Sequence, residues 1–315
     1  MNYTKITLFC YLCSCLLAPK ALSQAQNIAT QLGYPENAKL LIIHADDLGV
    51  SHSENTASIA GLEKSPVNSA SIMVPCPWFP EIATYASTHS NADMGLHLTL
   101  NSEWINYKWS PVTAESEVSS LVNKQGYFYA QIDSVIHYAK PAEVALELKN
   151  QIKKAYAFGI DVTHLDAHMG TAVTTPEFLA AYIKLGQEFQ LPVLLDKHMR
   201  LLKDERIQKL LTPKDVLMDN IYTASPKDYE QGMEHYYTSV LKNLKPGVHS
   251  LLIHLAFDDD EMRAVTKEHE YWAADWRQAD YNFFMSEQCE KLLKQHNITL
   301  ISWRELRDKI TRAEK

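Results

Sequence analysis

Four short stretches of the chain hold acids and imidazoles that could do chemistry together. They are His44-Ala45-Asp46-Asp47, Gly95-Leu96-His97, His164-Leu165-Asp166-Ala167-His168 and Leu252-Ile253-His254. One carboxylate with two imidazoles, and positions left open for water, suits a divalent ion that performs hydrolysis. Such an ion lowers the pKa of a water from about 15.7 toward about 7 and polarises a carbonyl oxygen. A second carboxylate beside the first would then serve as general base, and an opposing histidine as general acid. A single histidine of this kind is more often a hydrogen-bonded core residue. The set is different, because charges at buried positions are costly unless paired or bound to a metal.

Each stretch closes a run that reads as a strand. Residues 39–44 form a continuous apolar run of the sort buried in parallel sheets. Further strands are expected at 67–74, 94–100, 162–167, 191–195, 216–218, 250–255 and 298–302. Helices are expected between them, at 53–64, 80–87, 141–158, 175–189, 227–241 and 287–296. Thr175-Pro176-Glu177 supplies a capping hydroxyl, a first-turn proline and an acid, and Gly159 stops the helix before it. Seven or eight strand–helix units imply an α/β fold with a parallel sheet, a TIM-like (β/α) barrel at this length, with a doubly wound open sheet as the alternative. Barrel enzymes build their sites at the C-terminal ends of strands, where these acids and histidines fall. Residues 101–140 show no period and carry Trp104, Tyr107, Trp109, Tyr127, Phe128 and Tyr129. They form a rim insertion, either a substrate wall or a peripheral packing loop.

Composition removes other chemistries. The 315 residues contain only 10 glycines, and no two are closer than eleven positions (Gly159 and Gly170). Dinucleotide fingerprints, phosphate loops and the elbow of serine hydrolases all need closer glycines. A formal charge of −8 argues against nucleic acid as a partner. At the N-terminus, Lys5, an apolar run over 6–18 and Ala21-Leu22-Ser23 match a secretory leader, too short to span a bilayer. The expectation is a signal peptide over 1–23, a single domain over 24–315 and export from the cytoplasm, with a lipoprotein on Cys15 as second choice. Loss of the leader removes Lys5, Lys20 and no acid, so the formal charge becomes −10. Of five cysteines, Cys76 and Cys289 then remain, as a pair or as two buried thiols.

With these residues in view the chain resembles the YdjC-like carbohydrate deacetylases, a polysaccharide deacetylase-like family with a member that deacetylates chitooligosaccharides. The matching segments are Ile43-His44-Ala45-Asp46-Asp47-Leu48-Gly49, Gly95-Leu96-His97-Leu98-Thr99 and Thr163-His164-Leu165-Asp166-Ala167-His168. Ile253-His254-Leu255-Ala256-Phe257 resembles the family's His-Pro turn, and Ile301-Ser302-Trp303-Arg304-Glu305-Leu306 its closing strand. The resemblance implies a (β/α) barrel with Asp47, His97 and His168 as metal ligands, Asp46 as catalytic base and His254 as acid. It implies one divalent cofactor, magnesium or zinc foremost, and an acetylated amino sugar or oligosaccharide as substrate, cleaved to acetate and a free amine. Two departures bear on substrate recognition: Met169-Gly170-Thr171-Ala172 stands where the family has further histidines, and Leu255 replaces the proline. Trp272, Trp276 and Arg277 offer faces suited to stacking on sugars, or to plain helix packing. Two other readings are a glycosidase with Asp46 and Asp166 as its acid/base pair, and a glycan-binding protein without turnover.

Overall fold

The computed structural model describes residues 27–313, so the leader and lipoprotein readings lie outside the described residues. Seven strands are present: β1 (Lys39–Leu48), β2 (Ser69–Ile72), β3 (Met94–Leu98), β4 (Leu165–Ala167), β5 (Asn220–Thr223), β6 (Gly247–Ile253) and β7 (Ile298–Leu300). All pair in parallel, in the order β4-β3-β2-β1-β6-β5, with β7 also paired to β1. The result is an α/β fold built on a parallel half-barrel, as parallel strands joined by helices demand.

β1 is the organising strand. Its first residues, Lys39 to Leu41, pair with β7, and from His44 onward the chain pairs with β2. Asn68 fills the changeover: its Oδ1 accepts from the Ile43 N–H at 2.9 Å, and its Nδ2 donates to the Ile301 carbonyl at 2.7 Å. The side chain thus pairs two backbone groups at the switch. Successive side chains of a strand point to opposite faces. Leu41, Ile43 and Ala45 accordingly join the large core under the helices, whereas Leu40 and Ile42 join a second apolar cluster with Val248, Ile301 and Trp303. The same inward face continues as His44 and Asp46.

Helices fall close to where capping and periodicity place them. The helix Pro176–Phe189 starts as expected, with Thr175 Oγ accepting from the Phe178 N–H at 3.2 Å. Several expectations need correction. The stretches 191–195 and 216–218 are not ladders but single parallel bridges, Leu165 to Val193 and Asp196 to Met218. β5 lies two residues past the second of them, half-exposed, so it has no continuous apolar run to announce it. The expected helix over 227–241 is two helices, Pro226–Gln231 and Met233–Asn243, broken at Gly232 with φ of +102°. Cys76 and Cys289 are two buried free thiols, not a pair. Among the described residues no helix is long and apolar enough to cross a membrane.

Candidate metal centre

A regular strand would send the side chains of Asp46 and Asp47 to opposite faces. β1 avoids this through an irregularity in its register between Ala45 and Leu48, with Asp47 in left-handed backbone at φ +69°. Such local distortion re-aims a side chain, and Asp tolerates the left-handed region better than most residues. Both carboxylates therefore meet the histidines. His97 comes from β3, opposite Asp166 of β4 in the register, and His168 from the turn that follows β4. That turn is tight, with Met169 and Gly170 at φ +52° and +69°.

Asp47, His97 and His168, three residues proposed from sequence as ligands, converge. His97 Nε2 and His168 Nδ1 each lie 3.3 Å from Asp47 Oδ1. The far nitrogen of each ring faces a carboxylate: His97 Nδ1 is 2.6 Å from Asp166 Oδ1, and His168 Nε2 is 3.0 Å from Glu103 Oε2. A carboxylate partner keeps the proton on the nitrogen it faces and frees the other lone pair for a metal. Asp47 Oδ1 is itself buried with no hydrogen-bond partner among the described residues. Two ring lone pairs and an unpartnered carboxylate oxygen thus share one point, and nitrogen and oxygen donors of this kind fit a divalent ion.

The electrostatics ask for positive charge at the same point. Against burial, Glu103 and Asp47 push the His168 imidazole up to about 9. His97 is likewise pushed up, burial being outweighed by Asp166 and Asp46. Burial works to raise the Asp47 carboxyl, but Arg277, His168 and His97 together hold it well below the usual range.

Of the two readings open for Arg277, facing sugars or packing, the structure shows the second. Arg277 is 2% exposed, donating to Asp47 Oδ2 at 2.8 Å and to Glu54 Oε2 at 2.7 Å. Trp276 is buried between Tyr229 and Trp272, with ring centroids at 4.7 and 4.8 Å, so this segment is helix packing rather than a stacking platform. Burial drives the Glu54 carboxyl up to about 8 in spite of the guanidinium beside it.

Asp46 sits beside the triad, its Oδ1 3.0 Å from His44 Nε2 and 3.8 Å from His97 Nδ1. His254 follows β6; its Nε2 is 4.0 Å from Asp47 Oδ2, and its backbone N–H donates to Asp280 Oδ2 at 3.0 Å. Burial lowers the His254 imidazole to about 4, and burial raises the Asp280 carboxyl to about 7. The rim insertion divides into two parts. Its first residues form a wall of the site: Glu103 holds His168, and the buried Trp109 ring lies 6.4 Å from that imidazole. Its later residues pack on the helix Pro141–Ala157, where Glu147 accepts from the Val112 and Thr113 N–H groups.

Sequence reasoning missed Glu103, Arg277, Glu54 and Asp280 as parts of this site. Only Glu54 carried a signal, an acid on the buried side of an expected helix.

Known proteins resemble the chain over most of its length. The family model described as YdjC-like protein matches residues 40–295. A carbohydrate deacetylase of Thermus thermophilus is 32% identical over 285 residues, covering 86% of this chain and 94% of its own. A carbohydrate deacetylase of Thermoanaerobacter pseudethanolicus is 25% identical, covering 84% and 98%. Among solved structures, an Enterococcus faecalis V583 protein, described as a candidate cellobiose-phosphate cleavage protein, superimposes with a TM-score of 0.71. It is 22% identical and covers 85% of this chain and 99% of its own. The matched length and the 32% relative together place the chain in the family of YdjC-like proteins.

Proposed function

We propose that the protein is a metal-dependent carbohydrate deacetylase that removes N-acetyl groups from amino sugars or oligosaccharides. The observation that carries the reading is Asp47 Oδ1, buried and unpartnered, 3.3 Å from a ring nitrogen of both His97 and His168. Curated relatives over most of the chain bear the name carbohydrate deacetylase, which supports it.

Asp47, His97 and His168 would hold the ion, a divalent cation such as zinc or magnesium. Bound there, it supplies Lewis-acid chemistry, lowering the pKa of a water and polarising the acetyl carbonyl. The chain's own groups do the rest. Arg277 fixes Asp47 from behind through Oδ2, so that Oδ1 stays turned inward. Asp166 and Glu103 fix the two imidazoles in the ligating tautomer. Asp46 accepts the proton of the attacking water as general base, and His254, which burial keeps neutral at rest, acts as acid by relaying that proton to the amine. The carbonyl–nitrogen bond breaks, and acetate and a free amine leave. The burial of the group favours it, because charge interactions are strongest where water is excluded.

The glycosidase alternative needs two carboxyl groups facing a cleft. Asp166 has both oxygens engaged, one by His97 and one by His44, which favours the deacetylase. We further propose closure of the half-barrel through the bridges at Val193 and Met218, a single domain over 24–315, and export after removal of residues 1–23.

Metal analysis coupled to an acetate assay over a panel of N-acetylated sugars tests the reading. One divalent ion per chain and acetate release, both lost in Asp47→Ala, are expected. Acetate release that survives chelation and Asp47→Ala overturns it, as does release of reducing ends without acetate.

A further inference from the structure

The mechanism leaves the buried imidazole of His44 unused. His44 is 1% exposed and lies one step below Asp46 on the inward face of β1. Its Nε2 is hydrogen-bonded to Asp166 Oδ2 at 2.8 Å and to Ser71 Oγ at 3.1 Å and stands 3.0 Å from Asp46 Oδ1, so a single nitrogen faces two carboxylates and the hydroxyl that bridges to one of them. Its Nδ1 is 2.9 Å from Ser69 Oγ, the residue directly across the β1–β2 ladder. Ser71, two residues further along β2, donates from Oγ to Asp46 Oδ1 at 3.2 Å. Oδ1 of Asp46 is thereby held from two sides, while Oδ2 has no hydrogen-bond partner among the described residues.

We propose that His44 is a positioning residue whose Nε2–H is shared by Asp46 and Asp166, locking the base and the partner of His97 into one array. The inference rests on the deacetylase reading for the roles of Asp46 and His97, but the shared donor is a property of the folded chain alone. The physical reason is orientation. A carboxylate base rotates about one bond, and a donor fixed on Oδ1 leaves Oδ2 as the oxygen that takes the proton. Misplacing a reacting group by about 1 Å can cost on the order of 10²-fold in rate. Asp166 passes the same constraint to His97 through its other oxygen, at 2.6 Å.

The same neighbourhood offers a rival use, a second ion between His44, His164 and Asp166. The His44 ring has no free nitrogen to give it, since Ser69 and the two carboxylates occupy both. His164 Nε2 stands 3.9 Å from Asp166 Oδ2, outside hydrogen-bond reach, and the ring is stacked on Trp303 with centroids 4.8 Å apart. The geometry favours a hydrogen-bonded array.

Two measurements test it. The first uses the full chain with labelled histidine and follows the Nε2 resonance of His44 by NMR. Asp46→Asn and Asp166→Asn should each shift it; a shift in only one of them, or in neither, overturns the shared donor. The second is kinetic and uses His44→Leu and His44→Gln, the latter keeping an amide donor near the position of Nε2. For His44→Leu, kcat should fall about 10- to 100-fold with KM changed less than about three-fold and the metal content retained. His44→Gln should recover most of that loss. A His44→Leu enzyme within about two-fold of the parent in kcat, or a His44→Gln enzyme no better than His44→Leu, overturns the positioning role. If the parent chain releases no acetate, the deacetylase reading fails, and the resonance shifts still decide the shared donor. Should His44→Leu fail to fold, His44→Gln and the NMR arm carry the test.

Discussion

The inward face of β1 changes character within two residues. Leu40 and Ile42 lie among Val216, Met218, Val248, Ile301, Trp303, Leu306 and Ile310, a plug of hydrocarbon. His44 and Asp46, on the same face of the same strand, touch Ser69, Ser71 and Asp166. One end of the sheet is built like any core, to be held together. The other is built of buried charges, and unpaired buried charge works against stability. Polar groups at the far end are put to a different use. Asp93 is also buried, but both its oxygens accept backbone N–H groups, those of Trp303 at 2.7 Å and Arg304 at 3.0 Å, at the start of a short helix. Asp47 Oδ1 has no such partner. A satisfied carboxylate staples the chain; an unsatisfied one, surrounded by ring nitrogens, waits for a cation. The contrast teaches that burial alone does not mark a site, whereas a buried, unpartnered oxygen set between two ring nitrogens does.

Substitutions at the two ends should separate function from stability. Asp46→Asn should lower kcat by about 10²- to 10⁴-fold with little change in thermal midpoint, the range expected for loss of a general base. A loss below about ten-fold in an acetate assay would break the comparison at its polar end. Trp303→Ala, at the plug, should destabilise the chain by about 3–5 kcal/mol in urea titration. The molecules that remain folded should keep the parental kcat; a fall in activity per folded chain would show that the ends are not independent. Glu103→Gln should weaken metal binding by about 10- to 100-fold in competition with a chelator, because His168 loses the partner that sets its tautomer. Unchanged affinity would remove Glu103 from the site. The smallest effect is at the apolar end. Asp161 is held below its ordinary value, burial being outweighed by Arg307 and Arg304. A depressed carboxylate stabilises the fold at pH above its unfolded value and loses that contribution as pH falls through the folded one. With Asp161 45% exposed, the gain over Asp161→Asn should be at most about 1 kcal/mol at pH 7 and should vanish near pH 2.

Much of this was legible in the residues. The apolar run of β1 announced a buried parallel strand, and Thr175-Pro176 announced a helix start that is realised in the hydrogen bond to Phe178. Asp46, Asp47, His97 and His168 stood at strand ends, where a parallel α/β fold collects its chemistry. The distortion at Asp47 was not legible, because no glycine marks it; Asp tolerates left-handed backbone without a change of residue type. The role of Arg277 stayed open for a related reason. Its neighbours Trp272 and Trp276 suggest a sugar platform, and only tertiary packing reveals that the guanidinium turns inward to Asp47 and Glu54. Glu103 lies in an aperiodic segment, where spacing carries no information about which side chain faces a ring 65 residues away. β5 escaped notice because its burial is partial, so its composition resembles a loop.

The pairing of β1 has a kinetic consequence. Its partners on one edge are β6, about two hundred residues later in the chain, and on the other, for its first three residues, β7 at Ile298–Leu300. Contacts so distant in sequence must wait on loop closure and form slowly. During synthesis the central strand cannot be fully seated until residues 298–300 have emerged. Asn68, which spans the changeover, likewise reaches Ile301 only at the end. The amino-terminal half is thus kept from finishing early, and the compact state waits on the strand that completes the edge of β1.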